Sequence, residues 1–242
     1  MNKKIFCYVG SPRGEKSITI NLARKLLTYL SHRSECIYKI YSPSELKLEK
    51  CLGCECCFKN GNCELDKVDN FDKIKNEMIS SDVIILGTPV YAGTISSYLK
   101  EFIERLSLWL HIFKLAGKCG VIIATSTGNS LNETAYYLRR IMHGWGINDI
   151  YTMLIPVQTN DDLEKAEINE EINRCVEYLC SFLSGLKKPA SNNYLEQYFQ
   201  TLKKLYLPVR NFEHYEAKYW NENGFFELNS YKELLEILYK GK

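Results

Sequence analysis

The residues with the clearest capacity for chemistry are five cysteines between positions 51 and 63. Cys51, Cys54, Cys57 and Cys63 follow the pattern Cys-x2-Cys-x2-Cys-x5-Cys, with Cys56 as an alternative fourth thiol. Four closely spaced thiolates can ligate a [4Fe–4S] cluster, whereas tetrahedral zinc normally uses two separated pairs. The spacing therefore indicates a candidate metal site at these cysteines, with a cluster, zinc and free thiols as open alternatives.

A second candidate site follows the first apolar segment, at residues 10–19. Ser11, Ser17 and Thr19 carry hydroxyl groups there, and Arg13 carries a guanidinium. The segment precedes a helical pattern, and a helix N-terminus offers unpaired amides and a positive dipole end to a phosphate. Neither the Gly-Lys-Ser/Thr of a Walker loop nor a Gly-x-Gly-x-x-Gly motif is present. Phosphate binding and a simple Ser-capped helix start are both consistent with this turn.

Cys7 and Arg13 have the Cys-x5-Arg spacing of thiol phosphatases, which use a similar phosphate loop. Cys7 lies in the middle of an apolar segment, with Tyr8 and Val9 still to follow. Its sulfur is therefore predicted to be buried in a strand, away from the loop. Pro12 also removes a backbone donor that such a loop would use. The phosphatase interpretation is accordingly rejected.

Two further loops have compositions suited to a planar ligand. Residues 87–94 combine the stiffness of Pro89, the flat ring of Tyr91 and two glycines that allow close backbone approach. Residues 125–129 are small and polar. Each loop alone is compatible with an ordinary turn between a strand and a helix. Together with the turn at 10–19, they predict a shared ligand site.

The elements that position these residues alternate from one end of the chain to about residue 186. Five strand–helix units in alternation predict a doubly wound α/β fold with a parallel sheet. Strand order 2-1-3-4-5 is the common solution, and ligands bind at the carboxyl ends of the strands where the order reverses. Helices are predicted at 69–80 and from Asp161 through Leu183. The predicted strands are 5–9, 35–41, 82–87, 119–124 and 150–156.

The chain changes character after the strand–helix repeat. Residues 1–188 form the predicted α/β domain, and residues 189–242 are rich in aromatic side chains, with helical spacing around Tyr198 and Leu235. We predict a helical C-terminal extension packed on the domain or on a second subunit. The five scattered cysteines are predicted to be buried small hydrophobic residues: Cys7, Cys36, Cys119, Cys175 and Cys180.

Composition excludes several classes of function. The 242 residues contain 31 Lys and Arg against 29 Asp and Glu, and a net charge of +2 provides no field for nucleic acid. No apolar run approaches the ~20 residues of a membrane span. The start of the chain lacks the long apolar core of a signal peptide. A cytoplasmic location is therefore expected, in which clustered cysteines favour metal or redox chemistry over disulfides.

The combined motifs resemble the flavodoxin-like NAD(P)H-dependent FMN reductases. The motifs are Gly-Ser-Pro-Arg at 10–13, Gly-Thr-Pro-Val-Tyr at 87–91, the helix segment from Leu99 to Arg105, and Gly117-Lys118 before the fourth strand. The cysteine pattern is similar to the iron–sulfur flavoprotein branch of that family. This resemblance covers about residues 3–185 and implies a flavodoxin-like fold.

The resemblance also implies where FMN would bind. One group of residues would hold the phosphate, with Ile18 contributing only its backbone amide because relatives often carry Asn there. A second group would line the isoalloxazine ring. The phosphate group is Ser11, Arg13, Ser17, Ile18 and Thr19, and the ring group is Pro89, Val90, Tyr91, Ala92, Thr125, Thr127 and Gly128.

The function implied is electron transfer from NAD(P)H through FMN to a quinone, a flavin or another aromatic acceptor. A [4Fe–4S] cluster in the cysteine loop is one route for the electrons, although the resemblance does not decide between the three states of that loop. The flavin carries the chemistry, so no catalytic acid or base is assigned. A homodimer or homotetramer is expected. The alternative is a non-catalytic flavin and iron–sulfur carrier between partner proteins, which the near-neutral charge disfavours.

Overall fold

The structure is a computed structural model that describes residues 3–210 and 214–240. Its centre is one parallel sheet of five strands in the order β2-β1-β3-β4-β5. Both the predicted strand order and the α/β fold class are confirmed. Phe212, one of the aromatic residues of the extension, lies outside the described residues. The strands are β1 (Lys3–Val9), β2 (Cys36–Tyr41), β3 (Val83–Pro89), β4 (Cys119–Ser126) and β5 (Asp149–Pro156).

Helices cover both faces of this sheet and form the extension. Within the described residues they range from single turns to five turns, and the last three make up the predicted helical extension. None of them is long and apolar enough to cross a bilayer. They are α1 (Ile18–Ser31), α2 (Cys56–Asn60), α3 (Asp66–Asp69), α4 (Phe71–Ser80), α5 (Ser97–Glu104), α6 (Trp109–Ile112), α7 (Leu131–Gly144), α8 (Ala166–Leu183), α9 (Asn193–Tyr206), α10 (Tyr215–Glu222) and α11 (Tyr231–Lys240).

The register places β1 at the centre of the strand-order reversal. Cys7 of β1 lies opposite Ile40 on one side and Ile85 on the other, and all of the strands run in the same direction. The loops that follow β1, β3 and β4 therefore leave from the same edge. This is the edge at which ligands bind in open parallel sheets.

Side chains alternate between two apolar layers across the sheet. Cys7 points into the layer under α1 and α8, which includes Leu26 and Leu179. Phe6 and Tyr8 point to the opposite layer, under α4, α5 and α7. The period of two along a strand requires this alternation.

The extension belongs to the second of these layers. Phe199 and Trp220 are fully buried in the same cluster as Phe113 of the α/β domain. The Tyr198 hydroxyl donates to the Leu110 carbonyl at 3.0 Å. The extension therefore packs on the domain over a continuous apolar surface. The division at residue 188 into two domains stays a prediction.

Three expectations about these elements need correction. The helix predicted at 69–80 begins at Phe71, because Asp69 ends the short helix α3 and Asn70 has a φ of 56° between the two. The long helix begins at Ala166, because Asp161–Glu164 form a separate single turn and Lys165 between the two is extended, with a ψ of 143°. Among the scattered cysteines, Cys7, Cys119 and Cys175 are buried, whereas Cys36 and Cys180 are only partly buried.

Candidate flavin and cysteine sites

The turn after β1 packs tightly against the start of α5. The Gly10 amide donates to the Gly87 carbonyl at 2.8 Å. A Cβ on Gly10 would lie 2.6 Å from Leu99 Cβ and 2.7 Å from Ser96 Oγ, so no larger residue fits. Ser96 Oγ donates to the Gly10 carbonyl and accepts the Leu99 amide at 3.2 Å. Ser96 therefore joins the loop after β1 to the loop after β3. No signal in the sequence marks this contact.

The N-terminus of α1 faces the same turn. Ser17 is the N-cap, and its hydroxyl accepts the Ile20 amide at 3.3 Å. Ser11 and Ser17 are buried, whereas Arg13 is exposed and makes no ion pair with any described residue. A guanidinium beside a helix N-terminus is an arrangement suited to binding an anion.

The loop after β3 is built as a tight hairpin. Tyr91 and Thr94 exchange backbone hydrogen bonds of 2.9 and 3.1 Å. Ala92 and Gly93 both have positive φ, at 48° and 81°, as a type I′ turn requires. Positive φ is uncommon for alanine, and the turn leaves the ring of Tyr91 42% exposed.

The loop after β4 is held to both neighbouring loops. Thr125 Oγ1 and Thr19 Oγ1 share a buried hydrogen bond of 2.6 Å. The Thr125 carbonyl accepts the Val90 amide at 2.8 Å. Ser126 Oγ accepts the amides of Gly128 and Asn129, each at 3.2 Å. Thr125 therefore connects all three loops.

These loops enclose a cavity of about 180 Å³. It brings together ten of the twelve predicted FMN-binding residues. Ala92 and Gly128 do not line it; both are exposed turn residues. Four further residues line the cavity: Ser126, Asn129, Val157 and Gln158. The first two lie in the predicted loop at 125–129, whereas no signal in the sequence marks the loop after β5. The ten predicted residues are Ser11, Arg13, Ser17, Ile18, Thr19, Pro89, Val90, Tyr91, Thr125 and Thr127.

The structure supports the rejection of a phosphatase site. Cys7 is fully buried in β1, and burial raises the pKa of its thiol well above the usual range. A thiol in this environment is neutral and inaccessible, so it cannot act as a nucleophile.

The cysteine loop, defined as residues 50–65, carries five free thiols. Hydrogen bonds from the amide and thiol of Cys56 lower the pKa of Cys54, and the same thiol pair raises the pKa of Cys56. Burial raises the pKa of Cys57, to which the nearby thiols of Cys63 and Cys51 add. The thiols of Cys54 and Cys56 are therefore hydrogen-bonded to each other within this loop.

Thiolates are the donors that an iron–sulfur cluster requires, but their arrangement here does not fit one. In the part of the chain that the structure describes, no three His, Cys, Asp or Glu side chains converge to hold a metal ion. The predicted ligand set Cys51, Cys54, Cys57 and Cys63 is therefore not assembled as a metal centre in this arrangement.

Arg105 closes the base of the cysteine loop. Its buried guanidinium donates to the Glu49 carbonyl at 2.9 Å, just before the loop, and to Asp66 at 2.7 Å and Asp69, just after it. Asp66 also accepts from Lys75 at 2.6 Å. Burial opposes the charge of Arg105, but its hydrogen bonds to the two carboxylates leave its pKa above the usual value. These contacts hold the two ends of the loop together.

The protein has a five-stranded parallel sheet in the order β2-β1-β3-β4-β5. The loops after β1, β3 and β4 meet at the edge where the strand order reverses. This combination defines a flavodoxin-like fold with a nucleotide-binding type of site. Residues 3–158 match the family model described as NADPH-dependent FMN reductase. An iron–sulfur flavoprotein of Archaeoglobus fulgidus is 30% identical over 229 residues, which are 90% of this chain and 97% of that protein. The chain belongs to the NADPH-dependent FMN reductase family.

More distant similarities agree with this assignment. An FMN-dependent NADH:quinone oxidoreductase of Pseudomonas aeruginosa is 31% identical over 93 residues, covering 33% of this chain and 46% of that protein. The apo structure of an NADH:FMN oxidoreductase shares the fold with a TM-score of 0.56 at 19% identity, over 74% of this chain and 89% of the other. An FMN-dependent NADH-azoreductase of Bacillus anthracis gives 0.55 at 16% identity, over 75% and 99%. As a member of the family, the protein is an FMN-dependent oxidoreductase that uses NAD(P)H.

Proposed function

We propose that this protein transfers electrons from NAD(P)H through FMN to a quinone or another small aromatic acceptor in the cytoplasm. The observation that carries this proposal is the convergence of the loops after β1, β3 and β4 on one cavity. Relatives named as NADH:quinone oxidoreductases support the choice of acceptor.

The cavity residues fit FMN by their donor chemistry. Arg13 and the N-terminus of α1 would hold the phosphate, with Ser11 and Ser17 beside it, and the loops after β3 and β4 would hold the ring. When bound, FMN accepts hydride and passes on electrons. The cavity lining contains no carboxylate, histidine or cysteine. The contribution of this chain is therefore to bind and orient the reactants, with no side chain assigned as acid or base.

The site is open on the side where a second reactant must enter. Its volume of about 180 Å³ is below the ~300–1,000 Å³ of a typical enclosed ligand pocket. The cavity would therefore enclose only part of FMN, and the exposed ring of Tyr91 is placed to contact the remainder. We propose that the nicotinamide and the acceptor use this open face in turn, and that a second subunit of a homodimer or homotetramer completes it.

Anaerobic bleaching of the bound flavin tests this function. FMN-loaded protein should lose its visible flavin bands within one turnover of added NADH or NADPH and regain them when a quinone is added. Inertness to both nucleotides, together with reduction by a ferredoxin, would instead establish a carrier between partner proteins.

The state of the cysteine loop is a separate question within the proposal. The name of the Archaeoglobus relative supports an iron–sulfur cluster, whereas no three thiols converge to hold a metal ion in the part of the chain that the structure describes. We therefore derive no electron-transfer step through the loop. Iron analysis of anaerobically purified protein separates the alternatives, since a cluster contributes about four irons per chain.

A further inference from the structure

The middle of the cysteine loop contacts the C-terminal extension at Gly61. This residue ends α2 with a φ of 79°, and its amide donates to the Cys57 carbonyl at 2.9 Å. A Cβ at Gly61 would lie only 2.2 Å from Cε2 of Tyr215, the first residue of α10. The ring of Tyr215 therefore packs directly on the backbone that follows the two cysteines of α2.

A second contact involves Phe58 of α2. The ring of Phe58 lies 5.1 Å from that of His111, measured between centroids. The extension holds His111 from two directions. Tyr206 OH is 2.8 Å from its Nδ1, and Trp220 Nε1 donates to its carbonyl at 2.9 Å.

The helix α2, which makes these contacts, is too short to be stable in isolation. It has five residues, none of them buried, and both flanking residues, Glu55 and Gly61, have positive φ. Isolated helices shorter than ~12 residues are marginal in water, so the conformation of α2 must come from tertiary packing. Arg105 anchors only the two ends of the loop, at Glu49 and at Asp66. The middle of the loop is supported by Tyr215 of the extension and by His111 of α6, which the extension holds in turn.

We propose that the C-terminal extension positions the cysteine loop, with Tyr215 and Tyr206 as positioning residues. Tyr215 acts on the backbone at Gly61, and Tyr206 acts through His111 on Phe58. The extension thereby determines where Cys56 and Cys57 lie. This role goes beyond the proposed flavin chemistry and holds for any acceptor, and the family match ends at residue 158, before the extension.

Site-resolved alkylation tests the proposal on FMN-loaded protein. Tyr215→Ala should raise the rate of Cys57 modification by iodoacetamide at pH 8 about fivefold, because the loop opens more often. Tyr206→Phe should raise it by a smaller factor. Tyr198→Phe is the matched control, since its hydroxyl bonds to Leu110 and not to His111. Unchanged Cys57 rates in Tyr215→Ala would overturn the proposal.

The buried thiol of Cys175 distinguishes local loop opening from global unfolding. Its modification should stay slow in every variant, and a parallel rise at Cys57 and Cys175 would count against a positioning role. FMN binding and bleaching by NAD(P)H should also be unchanged. Failure of the flavin assay in the wild type would contradict the proposed function while leaving the alkylation result intact.

A double-mutant cycle tests the contact itself. Gly61→Ala places a methyl group against the ring of Tyr215, and Tyr215→Ala removes that ring, while the cost of the positive φ is the same in both backgrounds. The effect of Gly61→Ala on Cys57 alkylation should therefore be smaller when Tyr215 is absent. Additive effects would show that the two residues do not act through this contact.

Discussion

The flavin cradle and the cysteine loop leave the same edge of the sheet but are held in different ways. The flavin cradle is the candidate FMN site formed by the loops after β1, β3 and β4 (residues 10–19, 87–94 and 125–129). In the cradle, hydroxyl and backbone groups of short strand–helix turns bond to one another, as in Thr19 with Thr125 and Val90 with Thr125. In the cysteine loop, the contacts come from distant segments, with Arg105 at the base and Tyr215 in the middle. The cradle follows from the sheet itself, whereas the loop depends on charges and rings supplied from elsewhere.

The difference has an energetic consequence. The cradle distributes its stability over many neutral hydrogen bonds, each contributing about 0.5–1.5 kcal/mol. The two ends of the cysteine loop are held mainly by one buried guanidinium, that of Arg105, with two carboxylate partners. A single substitution should therefore release the loop, whereas the cradle should tolerate the loss of any one hydroxyl group.

The largest expected effect is that of Arg105→Ala. Removing one partner of a buried ion pair leaves the carboxylate of Asp69 uncompensated and costs about 3–5 kcal/mol. Urea denaturation should show this loss, and hydrogen exchange should show it first in residues 50–65. The amides of residues 10–19 should keep their protection in the folded fraction.

Arg105→Lys provides the control for charge alone. The lysine keeps the positive charge but cannot bond to Glu49, Asp66 and Asp69 together, so an intermediate loss is expected. If Arg105→Ala costs less than about 1 kcal/mol, as is usual for a surface pair, the cysteine loop does not depend on a buried ion pair for its stability.

The next effect concerns the cradle, through Arg13→Ala. This change should weaken FMN affinity at least tenfold, because a charge-assisted hydrogen bond contributes about 1.5–3 kcal/mol. Titration by quenching of FMN fluorescence measures it. Lys16→Ala is the matched control, as this cation lies in the same turn but does not line the cavity. Equal weakening by both variants would indicate a general charge effect and no specific phosphate contact.

Ser17→Ala should have a smaller effect on stability. Loss of an N-cap hydroxyl costs about 1 kcal/mol, and the cap also orients the amides that face the cavity. Ser31→Ala, at the far end of the same helix, should change the free energy of unfolding little. Thermal unfolding of the two variants in parallel is the measurement, and an equal loss in both would remove the special role of the cap.

The smallest expected effect is a difference in acid sensitivity. Burial works to raise the pKa of Asp69, but hydrogen bonds from Arg105 and from the backbone amides of Glu49 and Phe71 leave that pKa below its usual value. Its stabilisation is therefore fully present above the unfolded-state pKa of about 3.9 and is lost as pH falls through the lowered folded-state pKa.

The cavity lining contains no group that titrates in this acid range. On lowering the pH below about 4, exchange in residues 50–65, corrected for the intrinsic pH dependence, should rise before exchange in residues 10–19. Simultaneous loss of protection in both regions would indicate global acid unfolding, with no separate contribution from Asp69.

Much of the α/β fold could be predicted, because its signals are local and repeated. Short apolar segments alternate with segments of helical spacing, and this alternation predicts five strands. The right-handed crossover connections between parallel strands then limit the possible strand orders. Ten of the twelve predicted cradle residues line one cavity for the same reason, since they sit at strand ends. Ala92 and Gly128 do not line the cavity; both have positive φ, a backbone conformation that the spacing of residues along the sequence does not encode.

The arrangement of the cysteine loop could not be predicted in this way. The five-residue helix α2 has no periodic pattern. The side chains that hold the loop come from distant positions: Arg105 bonds to Asp66 from 39 positions away, and the middle of the loop contacts His111 and, in the extension, Tyr215. Ser96 was missed for a similar reason, because its contact with Gly10 joins residues 86 positions apart.

The sequence by itself determined the sheet, its ligand edge and the family, because strand and helix periodicity and short motifs depend on neighbours along the chain. It also provided five thiols in a spacing that left three states open. Only the tertiary structure decided that Arg105 closes the loop and that Tyr215 and His111 contact its middle. These are contacts between distant segments, and they form only when the packed sheet brings those segments together.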